Sequence, residues 1–151
     1  MKNLLIIILA IMLSGSRDPN ENIIVNNTDL QFETSIIENF LNTYDIKGVT
    51  VVLFKTDIKV PSGYSVKYHM RQRRDKYYVV YINNTVNNIS PKAIIHEMYH
   101  LKQLYNKELQ VVKGDIIWYK GEIYKTIKGI PLHKLPWEKD IPHFNIKDFI
   151  D

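Results

Sequence analysis

Apolar residues change their spacing several times along this chain, and each change predicts an element. Leu30, Ile36, Ile37, Phe40, Leu41 and Tyr44 recur at helical spacing. They predict an amphipathic helix that Asp29 caps, that runs to about Tyr44, and that has Gly48 near its C-terminal cap. The stretch "VTVVLFKT", Val49 to Thr56, is β-branched and apolar and predicts a strand. "SGYSVKYHM" and "KYYVVYIN" predict an antiparallel pair joined at Arg71–Asp75. Tyr77 to Ile82 is almost wholly apolar or aromatic, as a central strand or one beside a cleft would be. Ser90 and Pro91 then open a second helix, with serine at the N-cap and proline at the first helical position. Its apolar face is Ala93, Ile94, Ile95, Met98, Leu101 and Leu104, and its end falls near Asn106. Turn signals at Lys113-Gly114-Asp115 and Lys120-Gly121-Glu122 divide the following residues into a meander of short strands. Pro131, Pro136 and Pro142 predict an irregular tail with one helical turn at Trp137–Asp140.

The N-terminal end has a different pattern. Lys2 precedes an uninterrupted apolar run, Leu4–Leu13, and small residues follow at Ser14, Gly15 and Ser16. That order is the layout of a secretory signal. A spanning helix needs about 20 apolar residues, so the run is too short for a permanent membrane anchor. The protein is therefore expected to be exported, to the periplasm, cell envelope or exterior. "LSGS" also resembles a bacterial lipoprotein signal with Ser16 in the place of the lipidated cysteine, so lipid anchoring follows only if Ser16 replaces a natural cysteine. Arg17–Asn27 is polar and rich in asparagine and reads as a linker. The organisation expected is a signal over residues 1–16, a linker over 17–28 and one domain over 29–151.

Composition adds exclusions. The chain has 151 residues, enough for one modest core, and its hydrophobic content of 45% is that of an ordinary globular protein. It has no cysteine, which removes disulfides, thiolate metal sites and a cysteine nucleophile. A metal here must be held by imidazole, carboxylate, carbonyl or water. The net charge of +4 is mildly basic. The one dense basic run, "RQRRDK" at Arg71–Lys76, suits a solvated turn at least as well as a phosphate-binding patch. Nucleic acid, bound through Arg71, Arg73 and Arg74, is therefore a minor reading.

The chemistry concentrates in "SPKAIIHEMYHLKQ", Ser90 to Gln103. His96 and His100 are four residues apart and so share one helix face, one turn apart. Both imidazoles can reach a single zinc ion, while Glu97 beside the first ligand can take a proton from a zinc-activated water. This is the H-E-x-x-H arrangement. A catalytic zinc needs a third protein ligand and an open fourth position. Downstream candidates are His133, Glu138, Asp140 and His143. Tyr119, Tyr124, His133 and His143 are candidate donors to a developing oxyanion. Gln103, seven residues after His96 on the same face, is either a support for a ligand or a solvated side chain.

"HEMYHLKQLYNKEL", "GDIIWYKGEIYKT" and "LPWEKD" together resemble the small phage and bacterial metallopeptidase-like proteins of the H-E-x-x-H type. The resemblance covers Ser90–Asp140, and its P-W-E segment is the most particular part. It implies a gluzincin-like site with His96, His100 and Glu138 as zinc ligands and Glu97 as base. It also implies a small zincin-like α+β domain, an antiparallel sheet packed on an N-terminal helix and on the H-E-x-x-H helix. The pattern departs after Glu138, where Ile141 and Pro142 stand in place of a continuing helix, which leaves Asp140 as a substitute ligand. The expected function is a zinc-dependent metallohydrolase, a peptidase acting on peptide or protein. A non-catalytic zinc-binding envelope protein is the alternative.

Overall fold

The computed structural model describes residues 17–58, 65–113, 116–125 and 129–150. The expected signal, residues 1–16, lies outside them. The fold is α+β. A first strand, β1 (Ile23–Asn27), is followed by helix α1 (Ser35–Thr43) and strand β2 (Thr50–Thr56). Strands β3 (Tyr68–Arg74) and β4 (Tyr77–Asn83) lead to the long helix α2 (Pro91–Tyr105). Three short strands follow: β5 (Leu109–Lys113), β6 (Ile116–Tyr119) and β7 (Glu122–Tyr124). The tail carries a 3-10 turn at Leu132–Lys134, a single helical turn α3 (Pro136–Lys139) and a second 3-10 turn at Ile146–Phe149.

The larger sheet has the order β1-β2-β4-β3. It is mixed, which corrects the expected antiparallel sheet. β1 pairs parallel with β2, β2 pairs parallel with β4, and only β3 runs antiparallel to β4. The asparagine-rich surroundings of β1 concealed it, because Ile23-Ile24-Val25 is a short β-branched run at a half-buried sheet edge. Its flanks are tied down by side-chain amides. Asn22 donates to the Ile46 carbonyl at 2.8 Å and accepts from the Val49 N–H at 3.1 Å. Asn26 and Thr28 close the following turn on Leu30. That turn delays α1 to Ser35, beyond the start that Asp29 suggested.

β2 and β4 are central strands, apolar on both faces. One face of the sheet carries Val51, Leu53, Tyr78, Val80 and Ile82. These pack in one core with Ile36, Ile37, Phe40 and Leu41 of α1 and Ile94, Ile95, Met98 and Leu101 of α2. Each such side chain contributes about 1.5–3 kcal/mol on full burial. The other face carries the smaller cluster of Val52, Tyr77 and Val79.

The hairpin turn between β3 and β4 is only Asp75-Lys76, with Lys76 in the left-handed region at φ 55°. Arg71, Arg73 and Arg74 therefore belong to the edge strand β3 and not to a loop. A register shift between Gln72 and Arg74 bends its end. The second sheet, β5-β6-β7, is an antiparallel meander. Its last turn is Lys120-Gly121, with φ 44° and 93°, the positive pair that a two-residue hairpin requires. Ser90 caps α2 by accepting from the Ala93 N–H at 3.3 Å, and Pro91 sits at the start of the helix. The tail returns to α1, where Phe149 is buried, its ring 5.4 Å from that of Phe40.

Gly48 is not the cap of α1. Tyr44 is the cap, Asp45 follows it at φ 52°, and the Ile46 N–H closes on the Leu41 carbonyl at 2.9 Å. Gly48 sits at φ 70°, where an added Cβ would lie 2.3 Å from the Pro19 carbonyl oxygen. Gly48→Ala is expected to lower stability by about 1 kcal/mol or more, read as a shifted urea midpoint with an unchanged slope. An unchanged midpoint would show that the segment around Pro19 yields without cost.

Candidate metal centre

Helix α2 presents His96, Glu97 and His100 from one turn, anchored by the packing of Ile94, Ile95, Met98 and Leu101 beneath it. Glu138 arrives from α3, 42 residues after His96 in the chain. Its two carboxylate oxygens divide between the imidazoles. Oε2 lies 3.0 Å from His96 Nε2, and Oε1 lies 3.0 Å from His100 Nε2. The ligand atoms of the three residues all lie within 4.8 Å of one another, an arrangement able to hold a metal ion. Metal bonds of about 2.0–2.1 Å in a tetrahedron separate neighbouring ligands by about 3.3–3.4 Å. The two imidazole–carboxylate contacts, at 3.0 Å each, are a few tenths of an ångström from that separation.

Gln103 joins the two halves of this group. Its Oε1 lies 2.9 Å from His100 Nδ1, and its Nε2 donates to the Trp137 carbonyl at 2.8 Å. The second bond orients the amide, so Oε1 must accept from an Nδ1–H of His100. That leaves Nε2, which faces Glu138, as the ring nitrogen able to coordinate a metal. Trp137 is buried and precedes Glu138 directly, so one buried amide aligns the helix ligand with the tail ligand.

Asp140, the alternative ligand, is engaged elsewhere. It accepts from Tyr119 Oη at 2.5 Å and from Lys120 Nζ at 2.8 Å, and so clamps the tail to the β6–β7 hairpin. His133 and His143 are exposed and do not line the cleft described below. The oxyanion candidates fare similarly: Tyr119 is spent on Asp140 and Tyr124 donates to Glu122 at 2.8 Å. The residue that sequence reasoning missed is His69 of β3. It lines the same cleft as His96, Glu97, His100 and Glu138. Its only sequence signal was a histidine in a strand beside an apolar partner strand.

The electrostatics are those of a compact charged group taken out of water. Burial pushes the Glu97 carboxyl up from its ordinary value, against the pull of His100 and His96. Its Oε2 accepts from the Met70 N–H of β3 at 2.8 Å, which holds it in place. Burial disfavours a charged His100, but the Glu138 hydrogen bond and the Glu97 charge outweigh it and raise His100 to about 9. Burial likewise opposes ionisation of Glu138, yet the hydrogen bonds from His100 and His96 lower it to about 2. His69 falls to about 4 through burial, Arg71 and His100, so its ring is neutral and carries one N–H at neutral pH.

The group lies in a cleft of about 950 Å³. One wall is the edge of β3. Apolar side chains also line the cleft: Leu109, Val111 and Ile117 of the second sheet and Leu132, Leu135 and Trp137 of the tail. Among the described residues no helix is long and apolar enough to cross a membrane. No protein-family model, curated protein or solved structure matches the chain.

Two outcomes follow from this geometry. Gln103→Leu should weaken metal binding by about 10–100-fold with the fold retained, measured by competition with a chromogenic chelator. In chelator-treated protein, the Glu138 pairing should stabilise most between about pH 4.5 and 6.5. Glu138, lowered to about 2, loses its contribution as pH falls below its ordinary value of 4.5. His100, raised to about 9, loses its contribution as pH rises from its ordinary value of 6.5. The difference in unfolding free energy between the parent chain and Glu138→Gln should be widest in that window. A difference independent of pH from 3 to 9 would refute the pairing.

Proposed function

We propose that this chain is an exported, zincin-like, zinc-dependent metallohydrolase, a peptidase with His96, His100 and Glu138 as its zinc ligands. The observation that carries the reading is the convergence of these three side chains within 4.8 Å, next to the buried Glu97, in a cleft bordered by a strand edge. Two imidazoles and one carboxylate, without any thiolate, form a donor set suited to a catalytic zinc with an open position. Zinc bound there supplies a Lewis acid for a carbonyl oxygen and an acidified water.

The remaining work falls to the chain's own groups. Glu97 takes the proton of the attacking water and returns it to the departing amine, a task that its raised affinity for protons suits. The Met70 N–H holds Glu97 by one oxygen. Its other oxygen has no hydrogen-bond partner among the described residues and is left to the cleft that Glu97 lines. His69, neutral at working pH, offers an N–H to the negative charge that develops on the carbonyl oxygen. The Glu97–Met70 bond also favours a second reading, a non-catalytic zinc-binding envelope protein in which Glu97 only braces β3 against α2.

Purified protein is expected to hold about one zinc per chain. Glu138→Ala should strip it, while Asp140→Ala and His143→Ala should change affinity little, as read by elemental analysis after dialysis. Glu97→Gln keeps an oxygen to accept from Met70 and should retain zinc. Its turnover of peptide should drop by about 10²–10⁴-fold. Equal turnover in the parent chain and Glu97→Gln would remove Glu97 from the chemistry. Hydrolysis absent from both, with zinc present, would favour the binding module.

A further inference from the structure

The edge strand β3 carries a charge pattern that neither the fold nor the metal group uses. Arg71, Gln72, Arg73 and Arg74 are all exposed and all line the cleft. Arg74 is engaged, its guanidinium 5.2 Å from the centre of the Tyr77 ring. Arg71 and Arg73 form no ion pair among the described residues. Arg71 lies opposite Val79, and Arg73, the extra residue of the register shift, shares Tyr77 with Arg74 as its opposite residue; Val79 and Tyr77 lie on one face of the sheet, which places Arg71 and Arg73 on that face. The strand's free edge runs beside them. The Lys67 carbonyl accepts from the Asn83 N–H of β4, while the Met70 N–H turns away to Glu97. By the alternation of an antiparallel pair, the backbone groups of Tyr68, Met70 and Gln72 therefore point away from β4. Those of Gln72 are the next that an added strand could meet beyond the metal group.

Two free positive charges on an edge strand repel a second copy of that edge and any basic segment. They attract an extended segment of opposite charge, whose side chains fall on one face at every second residue. We propose that Arg71 and Arg73 make this cleft select extended peptides with two acidic side chains one residue apart, Glu-x-Glu or Asp-x-Asp. These flank the bond that is cut, on the side toward the β3–β4 turn. The proposal rests on the peptidase reading and names its substrate class. A nucleic acid strand fits less well. The strand edge offers backbone groups that pair with a peptide backbone and not with phosphates, and the cleft is also lined by the aliphatic Leu109, Val111 and Ile117.

The test uses short fluorescein-labelled peptides and the zinc-loaded full chain carrying Glu97→Gln, so that binding is read without turnover. A Glu-x-Glu peptide is expected to bind about five- to tenfold more tightly than its Gln-x-Gln counterpart, the gain of two exposed ion pairs. It should also bind more tightly than a peptide with adjacent glutamates, whose side chains point to opposite faces. The preference should vanish in high salt and in Arg71→Gln/Arg73→Gln, whose zinc content should be unchanged. Equal binding of the three peptides, or a preference that survives the double substitution, would overturn the proposal. So would a single-stranded oligonucleotide that displaces the Glu-x-Glu peptide at lower concentration than the unlabelled peptide does. Turnover by the parent chain separates the two readings. Cleavage of all three peptides at one rate leaves the peptidase and removes the selectivity. Selective binding without cleavage leaves the selectivity and removes the peptidase. Neither binding preference nor cleavage removes both.

Discussion

One carboxylate shared by two imidazoles organises this molecule. Glu138 reaches His96 and His100 with one oxygen each, and the contact spans the meander and the tail between α2 and α3. Nothing local brings these residues together. The meander turns the chain back, the Asp140 clamp on Tyr119 and Lys120 holds the tail to the second sheet, and the buried Trp137 packs against Tyr119 and Tyr124. Gln103 then completes the alignment by holding His100 with one end of its amide and the Trp137 backbone with the other. The rigid helix supplies the fixed half of the site, and the tail supplies the half that has to be delivered.

The cost of this arrangement is electrostatic. Glu97 and His100 are buried, and Glu138 is largely so, which disfavours each charge separately. Mutual pairing offsets that cost for His100 and Glu138, while Glu97 is left with a raised affinity for its proton. Groups whose affinities for protons are pushed apart in one cleft are a frequent mark of acid–base chemistry. The same cleft is asymmetric in a way that suits an extended ligand. Its lining combines the edge strand β3, with its backbone groups and arginines, and aliphatic side chains of the second sheet.

Much of this was legible in the sequence, and the reasons differ by element. The α2 helix was announced by Ser90-Pro91 and by an apolar repeat, and the H-E-x-x-H spacing placed His96, Glu97 and His100 on one turn of it by geometry alone. The β5–β7 meander was legible from its glycine turns, because positive φ at Lys120-Gly121 is a local requirement. The edge strand β1 was not legible, since its three β-branched residues lie among asparagines whose side-chain bonds appear only once Ile46, Val49 and Leu30 are near. The basic run was misplaced for a related reason. A turn of two residues with Lys76 at positive φ carries no glycine to mark it, so Arg71–Arg74 resembled loop when they are strand.

Local spacing thus determined the α+β class, the helix and its two histidines with their neighbouring glutamate, because periodicity and capping act within a few residues. The tertiary structure alone decided the parallel pairing of β1, β2 and β4, the arrival of His69 in the cleft and the engagement of Asp140 elsewhere. It also decided which carboxylate of the tail meets the helix. Glu138 and Asp140 are chemically near-equivalent and two residues apart. On a single helical turn they point in different directions, and only the packing of Trp137 and the clamp on Tyr119 determines which of them faces the imidazoles.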